Sequence, residues 1–281
     1  RSFSIGRGNF SFALLRAAWK LRRVPGIGHY HLPLPESGLF ALFLKDRPSL
    51  VTYHCDAPLG DIGANIVARA LDISHRILIR RANVVCTSSQ DYADHSRLQP
   101  LFTEQKSIAI PATSTDRAGG ARRFAVDGRR QIGFLGRPTS EKGIDVLMDA
   151  LDGLPADVLV TLAGPLDGLS ERVSYDRARL ETLMEHGRVR ALGFLDDDQI
   201  PDFYASLDLF VLPSTNSFEA FGIVQVEAMS AGVPVVVSNL PGTRTIVQAT
   251  GFGEIAEVGD AKDLERAIRV ALDSTYDEKR A

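Results

Sequence analysis

The second half of the chain consists of short apolar runs separated by helical periods. The runs "QIGFLG" (131–136), "DVLVTLAG" (157–164), "VRALGF" (189–194), "DLFVLPS" (208–214) and "VPVVVS" (233–238) are rich in Val, Leu and Ile without alternation. Strands buried on both faces of a parallel sheet read this way. Between the first two, "GIDVLMDALDGL" sets Ile144, Leu147, Met148 and Leu151 at helical spacing, which predicts a helix packed on the sheet. Gly232 and then Pro234 end a helix begun near Gly222. This alternation predicts a doubly wound α/β domain.

The first half repeats the plan less completely. Its strand runs are "GIGHYH" (26–31), "SLVTYH" (49–54), "NVVCTS" (83–88) and "SIAIP" (107–111). The stretch "ATSTDRAGGARR" (112–123) has no periodicity and reads as a linker. Two Rossmann-like domains are therefore expected, 1–120 and 121–281, facing a cleft. Ligands bind such folds outside the carboxyl ends of the strands.

Composition narrows the function classes. Two cysteines, Cys55 and Cys86, allow neither a disulfide framework nor a cysteine metal cluster. No apolar stretch is long enough to span a bilayer and no signal peptide opens the sequence, so a cytoplasmic location is expected. The net charge of −3 hides a split. Residues 1–127 carry 17 Lys and Arg against 10 Asp and Glu, and residues 128–281 carry 15 against 25. A basic first half implies an anionic partner. No nucleic-acid motif accompanies it, and nucleic acid is not expected. An apolar helix at 10–23, "FSFALLRAAWKLRR", carries Arg16, Lys20 and Arg23 in one stripe. It reads either as the basic outer face of a domain helix or as a peripheral contact with the inner face of an anionic membrane.

The chemistry concentrates in "SFEAFGIVQVEAMSAGVPVVVS" (217–238), where Glu219 and Glu227 stand eight positions apart. A helix starting near Ala220 to Gly222 offers unpaired N–H groups and a positive dipole end, an anion site suited to a diphosphate. Glu219 would repel phosphate, so its natural partners are sugar hydroxyls, and Glu227 can accept from the two hydroxyls of a ribose. A phosphate flanked by two hydroxyl-gripping acids describes a nucleotide-sugar.

The same segment resembles the E-x₇-E element of the family-4 retaining glycosyltransferases, whose fold is GT-B. "GFLGRPTSEKGIDVLMDAL" (133–151), "LAGP" (162–165), "ALGFLDDDQIPDFYASLDLFVLPS" (191–214) and "SNLPGTRTIV" (238–247) follow in that family's order and spacing. The first half matches more loosely, through "HYHLPLPE" (29–36), "VTYHCD" (51–56) and "IRRANVVCTSS" (79–89). The resemblance implies roles. Glu219 would contact the donor sugar and Glu227 the ribose. Arg137 and Lys142 would bind the diphosphate and neutralise the leaving group, with the amides of Ala220, Phe221 and Gly222 beside them. Phe194 and Leu195 would border the base, and His54 would face the reacting sugar. It further implies retention at the anomeric carbon, a nucleotide-diphosphate sugar as donor substrate with no other cofactor, and no metal. The acceptor is left open: a lipid or a glycan, with the basic first half and the 10–23 helix favouring an anionic or lipid-linked one.

Two features offer other chemistry. His29 and His31 share a strand face as a metal pair would, but no third ligand has suitable spacing and packing is the favoured reading. Asp196–Asp198 contains a D-x-D and reads as helix-start acids. The family's opening strand and glycine-rich loop have no counterpart ahead of residue 26, and "STYDEKRA" (274–281) stands where the family continues into helices crossing back to the first domain. The N-terminal domain is thus expected to be partial. A nucleotide-sugar epimerase or hydrolase on the same fold, and a non-catalytic sugar-nucleotide-binding module, are the alternatives to transfer.

Overall fold

The computed structural model describes residues 2–5, 8–43, 47–57, 59–104, 107–165 and 175–276. It forms two compact units, 1–112 with 217–221, and 113–216 with 222–281. The break after Ala112 falls at the start of the stretch read as a linker.

The first unit begins with an antiparallel hairpin, β1 (Ser2–Ile5) and β2 (Gly8–Ser11), which is not among the strand runs read from the pattern. The hairpin lies outside the parallel sheet. Helix α1 (Phe12–Leu21) follows, its first turn capped by the Ser11 hydroxyl accepting from the Leu14 amide. β3 (Gly28–Leu32), α2 (Ser37–Phe43), β4 (Ser49–Tyr53), α3 (Ile62–Ile79), β5 (Val84–Thr87), the short α4 (Gln90–His95) and α5 (Gln99–Glu104), and β6 (Ser107–Ala109) complete the unit. The four strands run parallel in the order β3-β4-β5-β6. All four runs named from the pattern form strands.

Beyond β4 the chain is held by a buried polar network. The Tyr53 hydroxyl donates to Asp56 Oδ1 at 2.6 Å, and the Ser96 hydroxyl donates to the same oxygen at 2.8 Å. Arg97 grips Asp72 with two N–H bonds of 3.0 and 3.1 Å. Buried polar groups are tolerated when they satisfy one another in this way. The loop after β4, which carries His54, is thereby fixed.

The second unit contains β7 (Arg130–Leu135), a single 3-10 turn (Ser140–Lys142), α6 (Ile144–Gly153), β8 (Val158–Ala163), α7 (Arg177–Glu185), β9 (Val189–Gly193), α8 (Ile200–Ala205), β10 (Leu209–Leu212), α9 (Ile223–Ser230), β11 (Val235–Ser238), α10 (Thr243–Thr250), β12 (Gly253–Ala256) and α11 (Ala261–Asp273). The five apolar runs are five of its strands, and β12 adds a sixth at the edge. The order is β12-β11-β10-β7-β8-β9, all parallel. Every residue of β8, β10 and β11 is buried, as strands covered on both faces must be. Ile144, Leu147, Met148 and Leu151 of α6 form the predicted stripe and sit in one core with α11. Aromatic and aliphatic side chains from α8, β10 and α9 fill the other face.

The sheet order reverses between β7 and β10. Connections leaving these neighbouring strands diverge to opposite faces, and a crevice opens between them. No helix among the described residues is long and apolar enough to cross a membrane.

Candidate functional site

A cavity of about 370 Å³ opens at this switch point, lined by Arg117, Leu135, Gly136, Arg137, Gly164, Pro165, Phe194, Leu195, Asp197, Ile200 and Glu227. Its floor is backbone. A Cβ on Gly164 would lie 2.1 Å from the Gly136 carbonyl oxygen, and Gly164 has φ of +140°. Only glycine permits that close approach.

Arg137 follows Gly136 at the end of β7. It is exposed and makes no hydrogen bond or ion pair with the described residues. Lys142 stands in the 3-10 turn that follows, half-buried. This loop is tied to the segment after β10. The Thr215 amide donates to the Glu141 carbonyl at 2.9 Å and its hydroxyl to the Ser140 carbonyl at 3.0 Å. Gly222, in a left-handed conformation with φ of 76°, is the N-cap of α9. Phe194 is 75% exposed and Leu195 is buried, so one wall of the cavity offers a free aromatic ring over an apolar base.

Glu227, in α9, is only 8% exposed and is paired. Arg117 donates to its Oε1 through Nε at 3.3 Å and Nη2 at 3.2 Å. Nη2 also donates to Asp197 Oδ1 at 2.8 Å, and Nη1 to the Asp197 carbonyl at 3.3 Å. The Arg117 guanidinium holds the Asp197 carboxyl below the usual carboxylate range. Asp196–Asp198 therefore differs from the reading as helix-start acids. α8 begins at Ile200 with Gln199 as its N-cap, and Asp197 is an ion-pair partner.

Sequence reasoning missed Arg117 because it lies in the stretch read as a linker. That stretch is laid down against the unit. The Arg117 amide donates to the Ser230 hydroxyl at 3.0 Å, the Ala121 amide to Asp202 at 2.7 Å and the Phe124 amide to the Ser206 hydroxyl at 2.9 Å. Asp202 and Ser206 lie at α8 and Ser230 ends α9, so both helices pin it.

The remaining sequence-predicted residues belong to the first unit. Glu219, Ala220 and Phe221 stand in the segment Ser217–Phe221, which clusters there. The Ser88 hydroxyl donates to the Ala220 carbonyl at 3.0 Å and the Tyr92 hydroxyl to the Ser217 carbonyl at 3.3 Å. Glu219 is half-buried; burial, then the Asp56 and Glu219 carboxylates, push the neighbouring Cys55 thiol up to about 11. His54 is exposed just past β4. Its Nε2 shares a hydrogen bond of 2.9 Å with His31 Nδ1, and the two rings stack. Burial, then the nearby His31 and His29 rings, hold the His54 imidazole below its ordinary pKa. His29 and His31 do not pack inside. Both are exposed, and His29 bonds the Thr52 hydroxyl at 2.8 Å. No group of three or more His, Cys, Asp or Glu among the described residues is arranged to hold a metal ion.

The glycosyl transferases group 1 family model matches residues 121–281. Phosphatidyl-myo-inositol mannosyltransferase of Mycobacterium leprae is 31% identical over 252 residues, which cover 87% of this chain and 63% of that protein. Its namesake from Propionibacterium freudenreichii is 28% identical over 295 residues, covering 98% and 69%. Among solved structures, sucrose-phosphate synthase from Thermosynechococcus elongatus aligns with a TM-score of 0.72 at 23% identity, over 88% of this chain and 64% of that one. Anabaena HepE in complex with UDP aligns with a TM-score of 0.71 at 22% identity, over 93% and 72%. The chain thus spans less than two thirds of the length of the Mycobacterium leprae relative. The structural likeness covers both parallel sheets, and the fold class is GT-B.

Proposed function

Because the chain belongs to the glycosyl transferases group 1 family, we propose that it serves a retaining transfer of sugar from a nucleotide-diphosphate sugar to a glycan or lipid-linked acceptor. One observation carries the donor half. The cavity at the β7/β10 switch point combines a guanidinium without a partner among the described residues, an exposed aromatic ring and a buried carboxylate on its walls. These match the three parts of a nucleoside diphosphate. Arg137 takes the phosphates, with Lys142 on the same loop. Phe194 and Leu195 take the base. Glu227 takes the ribose hydroxyls. The amides of Ala220, Phe221 and Gly222 add to the diphosphate site, Glu219 accepts from the sugar hydroxyls, and His54 meets the reacting sugar.

In the reaction the anomeric C–O bond to the diphosphate breaks and a C–O bond to the acceptor hydroxyl forms on the same face. The hydroxyl proton leaves with the diphosphate or to solvent. Negative charge builds on the leaving oxygen, and fixed cations that meet it there lower the barrier without a metal.

A binding experiment separates the two acids. Glu227→Ala is expected to weaken the nucleoside diphosphate and its sugar alike. Glu219→Ala should spare the former and weaken only the sugar nucleotide. Each loss should be on the order of 1–3 kcal/mol, the worth of one or two hydroxyl contacts to a charged group. Calorimetry that finds both ligands weakened equally in both variants removes this division. Release of nucleoside diphosphate only when acceptor is present, unaffected by a chelator, distinguishes metal-free transfer from hydrolysis, epimerisation or mere binding.

The acceptor half rests on α1 and on relatives named for mannosylating phosphatidyl-myo-inositol. Phe12, Leu14, Trp19 and Leu21 of α1 are exposed, as is Val24 beyond it. Arg16 and Lys20 are exposed on the same helix, and the Arg22 guanidinium sits 3.7 Å from the centre of the Trp19 ring. An exposed apolar surface ringed by cations suits the inner face of an anionic membrane. The chain should therefore sediment with phosphatidylglycerol vesicles but not with phosphatidylcholine vesicles, and Trp19→Ser should cut that binding severalfold. Equal recovery with both vesicles removes the membrane contact.

A further inference from the structure

The donor reading gives Glu227 a ligand but says nothing of how its carboxylate is aimed. Its two oxygens are not equivalent. Oε1 receives both Arg117 N–H groups, which is the usual capacity of one carboxylate oxygen. Among the described residues Oε2 meets only the Tyr204 hydroxyl, at 3.4 Å. That hydroxyl has a single proton and a shorter contact, 3.1 Å, with the Val224 carbonyl. Oε2 therefore keeps its accepting capacity.

Arg117 is itself over-determined. Its amide is fixed by Ser230 at the end of the helix that carries Glu227, and its guanidinium bridges across to Asp197 beyond β9. It is buried and lines the cavity. A planar fork held at three points can fix a carboxylate's rotation, which a flexible ammonium cannot do.

We propose that Arg117 is a positioning residue for the donor: it occupies Glu227 Oε1 and turns Oε2 into the cavity, so that the site reads the paired hydroxyls of a ribose. The inference rests on the assignment of this cavity to a nucleoside diphosphate. It adds a residue from the interdomain stretch to the binding machinery and makes discrimination for ribose, over a sugar lacking a hydroxyl, depend on a side chain that does not touch the ribose. A carboxylate left to rotate still offers charge but no longer offers an oxygen at a set place, and hydrogen bonds weaken steeply when misaligned.

The test measures dissociation constants of GDP and UDP and of their 2′-deoxy forms, on the whole chain. The unmodified chain should prefer the ribonucleotide of the base it accepts by about tenfold. Arg117→Ala should abolish most of that preference, and so should Arg117→Lys, which keeps the charge without the fork. Combining Arg117→Ala with Glu227→Ala should be no worse than Glu227→Ala alone, since one acts through the other. Where Arg117→Ala does not fold, Asp197→Asn serves in its place. It removes an outer anchor from an exposed side chain and should reduce the preference in the same direction, by less.

An undiminished ribose preference in the Arg117 variants overturns the inference and leaves the donor assignment standing. Equal weakening of ribo and deoxy forms, with losses that add to those of Glu227→Ala, also overturns it and makes Arg117 a direct phosphate ligand. Failure of the unmodified chain to bind any of the four nucleotides overturns the donor assignment and this inference together.

Discussion

Arg137→Ala is expected to lower the rate of sugar transfer by about a hundredfold to a thousandfold while weakening nucleoside diphosphate binding by only about tenfold. The asymmetry follows from where charge is created. A bound diphosphate already carries negative charge, and part of what Arg137 offers is spent in that ground state. As the anomeric bond breaks, further charge arrives on the leaving oxygen, and a cation already in place stabilises it without reorganising. Arg137 fits the role because none of the described residues uses it. It stands on the cavity wall without a hydrogen bond or ion pair among the described residues. Arg117, also on that wall, is committed to Glu227 and Asp197. Arg137→Lys should recover part of the rate, since charge survives but the bidentate fork does not. The same nucleoside without phosphate should bind the variant and the parent equally. Transfer within threefold of the parent in Arg137→Ala, measured at saturating donor, sinks the assignment.

What the sequence made legible was what local pattern controls. Strands β7, β8, β10 and β11 could be read because residues buried on both faces leave an unbroken apolar run. α6 could be read because its stripe repeats at the helical period. β12, "GEIA", is short and half-polar at the edge of the sheet, and it was not among the named runs. Charged residues behaved differently. Motif spacing picked out Glu227 and Arg137, which line the cavity, but not Arg117, which lines it too. Its partners lie 80 and 110 residues away, and nothing local distinguishes an arginine that will be buried from one on a loop. The pairing of His31 with His54 is of the same kind. It depends on the register that sets His31 opposite Thr52 on adjacent strands, which no single run reveals. The clustering of Ser217–Phe221 with the first unit is likewise a tertiary fact, invisible in a stretch that reads as continuous with α9.

The same close packing makes a glycine the most sensitive point of the loop that follows β7 and carries Lys142. Gly143→Ala is expected to destabilise the second unit by about 3–5 kcal/mol. Gly143 has φ of 74°, ends the 3-10 turn that carries Lys142 and caps α6. Placing a side chain in that left-handed region costs about 1–3 kcal/mol. The added Cβ would also lie 1.8 Å from the Pro213 carbonyl oxygen and 2.6 Å from its carbon. Both are backbone, at the end of β10, so no rotamer change relieves the overlap, and overpacking of this kind costs about 1–3 kcal/mol more. In a unit of this size the unfolding midpoint should fall by about 10 °C. The damage should reach the site, because the turn and the segment after β10 are joined through Thr215. Gly128→Ala is the control. Gly128 has φ of 71° but nothing within 4 Å of the new Cβ, so it bears the backbone cost alone. It should lose about 1–2 kcal/mol and leave nucleoside diphosphate affinity unchanged, whereas Gly143→Ala should weaken it about tenfold. Equal losses of stability in the two variants would mean that the approach to Pro213 is not there, and with it the fixed placement of the turn that carries Lys142.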